Sequence, residues 1–282
     1  MIIVTGTKRS GTSMWMQILV AAGLPAFGEA FPRTWGETLR PANPDGFYES
    51  ILRQGIYWRT NPHPRTGAYF FPEQVERHVV KVFIPGLVRT DRAFIGRVIA
   101  TVRDWREYES SMERLHAIED QSRKPDVARP LRMPPVLEWW HENFSLVRDI
   151  VTRRYPVHVQ SYAGLLAEPD RVVRQVLAWI GHGDPEAAVR AVKPENRTQD
   201  SPASTSLEPE VAEVFDLFHQ ALHERRPLNA AFIELLNETN RVLAPRIAEA
   251  QRAVLRDQRR RQLRAQQDDP GEPEPDPDLP SW

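Results

Sequence analysis

The sequence predicts a three-layer α/β domain, a central parallel sheet flanked by helices, followed by a helical C-terminal extension. Three observations carry that prediction. Short, β-branched apolar runs recur at residues 2–5, 78–83, 97–102 and 157–160. Helical patterns separate them, and strands that alternate with helices pair in parallel. From residue 169 onward nearly the whole chain has helical periodicity.

The first apolar run stops at Gly6, and residues 13–23 read as a helix with Gly23 as its stop signal. Residues 24–71 are rich in Pro, Gly and aromatics and read as an ordered excursion over the sheet, with a helix expected at about 49–59. The strand expected at 97–102 leads directly into a helical pattern at 105–118. A polar break at 119–135 rich in Arg and Pro precedes a helix at 136–154 and the short strand at 157–160. A loop is expected near 193–206 and a charged helix at about 246–267. The boundaries so drawn are an α/β domain at 1–206, a helical extension at 207–266 that packs on it, and an acidic, Pro-rich disordered tail at 267–282.

Composition sets further limits. With 282 residues, 41% hydrophobic and 27% charged, and eight tryptophans, the chain can bury a sizeable core. Its net charge of -1 conceals an acidic end, so any anion site must come from local charge. The absence of cysteine excludes disulfides and thiolate metal sites. The start, MIIVTG, lacks the charged and long apolar regions of a signal peptide, and no stretch approaches a membrane span, so a cytoplasmic location is expected.

The strongest local signal is Gly6-Thr7-Lys8-Arg9-Ser10-Gly11-Thr12-Ser13, set between the first strand and the first helix. There, successive backbone N–H groups and a helix N-terminus face an anion, which makes the expected fold a P-loop-type domain. The loop has GxxxxG spacing but carries Thr12 where a triphosphate-binding loop places Lys. Something other than a γ-phosphate is indicated.

The RSGTS segment after an N-terminal strand resembles the phosphate loop of sulfotransferases of the bacterial type. The resemblance implies the donor 3′-phosphoadenosine 5′-phosphosulfate (PAPS), with adenosine 3′,5′-bisphosphate as product. It implies Arg9 as the cation at the 5′-phosphosulfate, with Lys8, Ser10, Gly11, Thr12 and Ser13 as the rest of the cradle. Such a cradle neutralises charge on the leaving phosphate without a metal. Arg103 at a strand end and Ser111 eight residues later match the family's 3′-phosphate pair, Ser110 being the alternative register. Asn43-Pro44-Asp45-Gly46-Phe47-Tyr48-Glu49 resembles the family's NPxGxxE segment, residues 159–181 its strand, short helix, Glu-Pro and amphipathic helix, and residues 193–206, with Arg197, its cofactor-covering loop. The likeness spans roughly residues 1–200.

Sulfuryl transfer needs a proton acceptor and a cation near the leaving oxygen. Where cytosolic animal sulfotransferases have KTHxP this chain has Lys81-Val82-Phe83-Ile84-Pro85, and Phe83 cannot be a base. Lys81 is assigned to the bridging or sulfuryl oxygens. Two carboxylates are candidates for the base: Glu49, at the end of the NPDGFYE turn and preferred, and Glu29, about where tyrosylprotein sulfotransferases carry theirs. His219 and His223 have the i, i+4 spacing of zinc ligands, but Gln220 stands where a metalloprotease helix needs Glu, and no metal site is expected. The basic run at 252–264 reads as a solvated amphipathic face or a partner helix, so no nucleic acid is expected. The expected acceptor is a small molecule, glycan or lipid, with Trp35, Phe47, Tyr48, Tyr57 and Trp58 as candidate lining. Two other readings stay open: a P-loop kinase acting on a small molecule, and a catalytically inactive nucleotide- or glycan-binding module.

Overall fold

A computed structural model describes residues 1–32, 40, 43–121, 128–197 and 206–268. Four parallel strands, β1 (Ile2–Gly6), β2 (Val79–Lys81), β3 (Arg97–Val102) and β4 (Val157–Ser161), form one sheet in the order β2-β1-β3-β4. The register places Gly6 beside Thr101, so β1 and β3 end together at the centre of the sheet. The chain passes from β1 outward to β2 and then back across β1 to β3. That reversal opens a crevice beyond the carboxyl ends of β1 and β3, where open α/β sheets bind ligands.

Alternation along β1 builds both faces. Ile2 and Val4 pack with helices α1 (Thr12–Ala21), α6 (Pro169–Ile180) and α7 (Pro185–Arg190). Ile3 faces the opposite way, with Val80, Val98 and Ala100, against α2 (Ile84–Arg89) and Leu146 of α4 (Pro135–Arg153). The helix α5 (Tyr162–Ala167) follows β4 directly, with the Ser161 hydroxyl accepting from the Gly164 N–H.

A third cluster joins the C-terminal part of the chain to this domain. Trp105, Trp139 and Trp140, all fully buried, on α3 (Trp105–Gln121) and α4, pack against Phe215 and Phe218 of α8 (Pro209–His223) and against Leu243 and Ile247 of α9 (Ala230–Asp268). Stacked rings at 4.9 Å and 5.1 Å, between Phe215 and the two α4 tryptophans, centre the contact.

Strand and helix expectations match the structure closely at 97–102, 136–154 and 157–160. Two do not. The helix expected at 49–59 is only a 3₁₀ turn, Ile51–Gln54. It stops at Gly55, whose φ of 108° lies outside any helix and whose backbone is pressed against the Gly86 carbonyl. The charged helix expected to begin at 246 instead starts at Ala230 and runs through Pro245. Proline removes one backbone bond there, but Leu243 and Ile247 on either side are buried against the tryptophan cluster, which carries the helix across it. The expected tail lies outside the described residues from 269 on.

Candidate functional site

The loop between β1 and α1 is built by its own side chains. Ser10 Oγ donates to the Thr7 carbonyl at 2.7 Å, and Thr101 Oγ1, from β3, donates to the Ser10 carbonyl at 2.7 Å. Arg9 takes a left-handed conformation (φ 63°), which turns the loop back on itself. Gly11 is the N-cap of α1 at φ 97°, and a Cβ there would sit 2.7 Å from the Tyr162 ring. Only glycine fits. Because Gly11 has no side chain, the first N–H groups of α1, which have no intrahelical acceptor, carry no side-chain cap.

A cluster of arginines converges on this loop from distant parts of the chain. Arg103, at the end of β3 and 5% exposed, donates through Nη1 to the Arg9 carbonyl at 3.0 Å and through Nε to Glu107 at 3.1 Å. Arg197 reaches the other oxygen of Glu107. Arg9 Nε donates to Ser111 Oγ at 3.1 Å. The Tyr162 ring lies under Arg103 at 4.8 Å. Burial first, and then the charge of Arg103, push the Arg9 pKa down to about 10, so Arg9 stays charged at neutral pH, and Glu107 stands between Arg103 and Arg197. Such a site favours an added anion.

A second cluster stands at the other side of the loop. Lys81, at the end of β2, donates from Nζ to Glu49 Oε1 at 2.8 Å, to the Phe47 carbonyl at 3.0 Å and to Ser13 Oγ at 3.1 Å. Arg53 contacts the other oxygen of Glu49 at 3.3 Å. The Asn43–Glu49 segment is shaped for this. Asn43 Nδ2 and Gln17 Nε2 both donate to the Gly46 carbonyl, and Tyr48 adopts φ 52°, turning the Phe47 carbonyl and the Glu49 carboxylate onto Lys81. Burial holds the Lys81 pKa below the usual lysine range, an effect that the Glu49 charge opposes.

Both clusters border one cavity of about 960 Å³. Lys8, Arg9, Gly11, Thr12, Ser13, Glu49, Lys81 and Arg103 line it, as do Phe47 and Phe83. Glu29 is exposed and paired through a backbone bridge with Glu49, and it does not line the cavity. Neither Tyr57 nor the 74% exposed Trp58 does so, and Trp35 lies outside the described residues. His219 and His223 stack with ring centroids 6.1 Å apart, but His223 is occupied by Ser161 at 2.6 Å. Among the described residues no group of three or more His, Asp or Glu could hold a metal ion.

Several cavity residues were missed by sequence reasoning. Tyr162 is one. Met112, Leu115, His116 and Glu119 are others, and their i, i+3, i+4, i+7 spacing is the signal that could have placed them on one face of α3. Across from them stands Glu138, accepting from the Tyr108 hydroxyl at 3.0 Å. Burial, and then repulsion from Glu138, push Glu142 one turn further along up to about 8. Gln251, Val254, Leu255 and Gln258 of α9 complete the wall. No sequence feature of the loop announces that helix as part of the site.

No family model matches this chain, and no curated protein does. Among solved structures, the sulfotransferase domain of the olefin synthase from Synechococcus PCC 7002 aligns over 80% of this chain and 93% of that one, at 14% identity and a TM-score of 0.37. Identity and score this low do not carry function from one chain to the other. No helix among the described residues is long and apolar enough to cross a membrane.

Proposed function

We propose that the chain is a sulfotransferase that moves a sulfuryl group from PAPS to a hydroxyl or amine of its acceptor (EC class 2.8.2). One observation supports this above the rest: Arg9, Arg103 and Ser111 meet at one side of the phosphate loop, with Arg197 on Glu107 beside Arg103, while Lys81 and Glu49 meet at the loop's other side, on a cavity that Arg9 and Arg103 also line. Two anion subsites and a lysine–carboxylate pair are what a donor with a 3′-phosphate and a 5′-phosphosulfate requires.

The residues fit the donor. Uncapped N–H groups of α1, with Lys8, Arg9, Thr12 and Ser13, would hold its 5′ end, Ser10 shaping the loop through its bonds to Thr7 and Thr101, and Arg103, Ser111 and Arg197 would hold its 3′-phosphate. When bound, the donor supplies an activated sulfuryl group on a phosphate leaving group. Lys81 would neutralise the negative charge left on the leaving phosphate. Glu49 Oε1 would accept the proton of the acceptor's hydroxyl or amine, with Arg53 on Oε2. Glu29 would act only at the cavity's margin, through its backbone bridge to Glu49.

A kinase would use an acid at a strand end to hold a metal. Here Asp104, beside Arg103, accepts instead from the Arg106 and Glu107 N–H groups and caps α3.

The test is transfer of ³⁵S from labelled PAPS to a panel of alcohols, phenols and amines. Transfer matched by release of adenosine 3′,5′-bisphosphate, and slowed at least hundredfold by Lys81→Met, supports the reading. Magnesium-dependent phosphoryl transfer from ATP, with no sulfuryl transfer, overturns it.

A further inference from the structure

We infer that the acceptor is an alcohol with an extended apolar body, and that this body lies in an arm of the cavity walled by the C-terminal helix α9. The inference rests on the sulfotransferase reading and deepens it.

The first argument is size. A cavity of about 960 Å³ stands at the top of the range of roughly 300–1,000 Å³ that single small-ligand sites occupy, which leaves room for an acceptor beside the donor.

The second is the chemistry of the wall. Away from the phosphate loop, Met112 and Leu115 of α3, Leu131 and Met133, and Val254 and Leu255 of α9 line the cavity together. Leu131 and Leu255 are 47% and 57% exposed, so apolar surface stands open to the cavity and to solvent. Two methionines give the arm an adaptable lining. Of the polar side chains there, Arg132 is held by Asp120 at 2.7 Å and Glu119 at 3.1 Å, and Gln251 by His141 at 3.2 Å, while Arg114, His116 and Gln258 also line the cavity. A sugar would need several free, fixed polar partners, whereas an aliphatic body needs only apolar area.

The third is that the arm is held in place. Arg261 donates to the Ala128 carbonyl at 2.7 Å, Asp257 accepts from the Leu131 N–H at 3.0 Å, and the two α9 side chains pair at 2.6 Å. These bonds fasten residues 128–131 to α9 and leave Leu131 and Leu255 on the cavity side. They also give the basic stretch of α9 a structural task.

The experiment measures kcat/KM for linear primary alcohols from butan-1-ol to decan-1-ol with PAPS as donor. Binding of adenosine 3′,5′-bisphosphate is measured in parallel. A rise of about two- to fourfold per methylene, reaching a plateau when the arm is filled, is expected. Leu255→Glu should flatten that rise and leave the affinity for the bisphosphate unchanged. A series flat in chain length, a rise that Leu255→Glu does not alter, or a chain that binds the bisphosphate and sulfates none of the alcohols would overturn the apolar-acceptor inference alone. Failure of the wild type to bind the bisphosphate would overturn both readings together.

Discussion

Lys81 and Glu49 form an ion pair at 2.8 Å in which the two side chains are only 4% and 6% exposed. They come from the end of β2 and from the excursion before it, 32 positions apart in sequence. Removing Glu49 leaves Lys81 buried without its carboxylate, and removing Lys81 leaves the buried Glu49 with the longer 3.3 Å contact to Arg53. Glu49→Gln and Lys81→Met should therefore each destabilise the fold by about 3–5 kcal/mol, whereas Lys81→Met combined with Glu49→Met should recover most of the loss. Denaturant unfolding of the three variants checks this. Single and double variants of equal stability would show that the pair contributes no more than an exposed one.

Arg103→Ala removes a cation, the bond to the Arg9 carbonyl and half of the hold on Glu107. A charge-assisted bond of this kind contributes about 1.5–3 kcal/mol, so affinity for adenosine 3′,5′-bisphosphate should fall by about ten- to hundredfold or more. Arg103→Lys should recover only part of it, because ammonium lacks the guanidinium fork. Arg197, more exposed, should matter less. Equilibrium titration of all three variants decides the order.

Gly11→Ala places a methyl group 2.7 Å from the Tyr162 ring at a φ of 97°. The loop must distort, at a cost of about 1–3 kcal/mol. Nucleotide binding should be lost by more than the stability, since the same distortion moves the N–H groups of α1. Comparison of thermal unfolding with nucleotide titration separates the two effects.

Glu142 holds its proton in the folded chain up to about pH 8, against about 4.5 when unfolded, chiefly because it is buried and secondarily because Glu138 is near. Between those values the folded state binds more protons. The stability present below pH 4.5 is therefore lost as pH rises through 8. Glu142→Gln, which has no proton to lose, should reduce the decline in stability between pH 5 and 8 relative to wild type, measured by denaturant unfolding across that range.

Much of this architecture was legible in the sequence because it rests on local chemistry. The β-branched runs marked all four strands, and the glycines and hydroxyls of residues 6–13 marked the loop. Ser111 was expected beside Arg103 from the family resemblance, and the structure puts it on Arg9 instead. The engagement of Glu49 was not legible, since it depends on β2 bringing Lys81 under the Asn43–Glu49 turn. Nor was the place of α9, whose charged face reads as solvated until Asp257 and Arg261 meet residues 128–131. Long-range packing decides such contacts, and a periodic pattern records only which face is apolar.

The central claim is a site for a nucleotide with phosphates at both the 3′ and 5′ positions, and calorimetric titration with adenosine 3′,5′-bisphosphate in the absence of magnesium tests it most directly. Binding in the micromolar range that weakens at least tenfold in both Arg9→Ala and Arg103→Ala is the predicted result. No binding of the bisphosphate, together with magnesium-dependent binding of ATP, would contradict it.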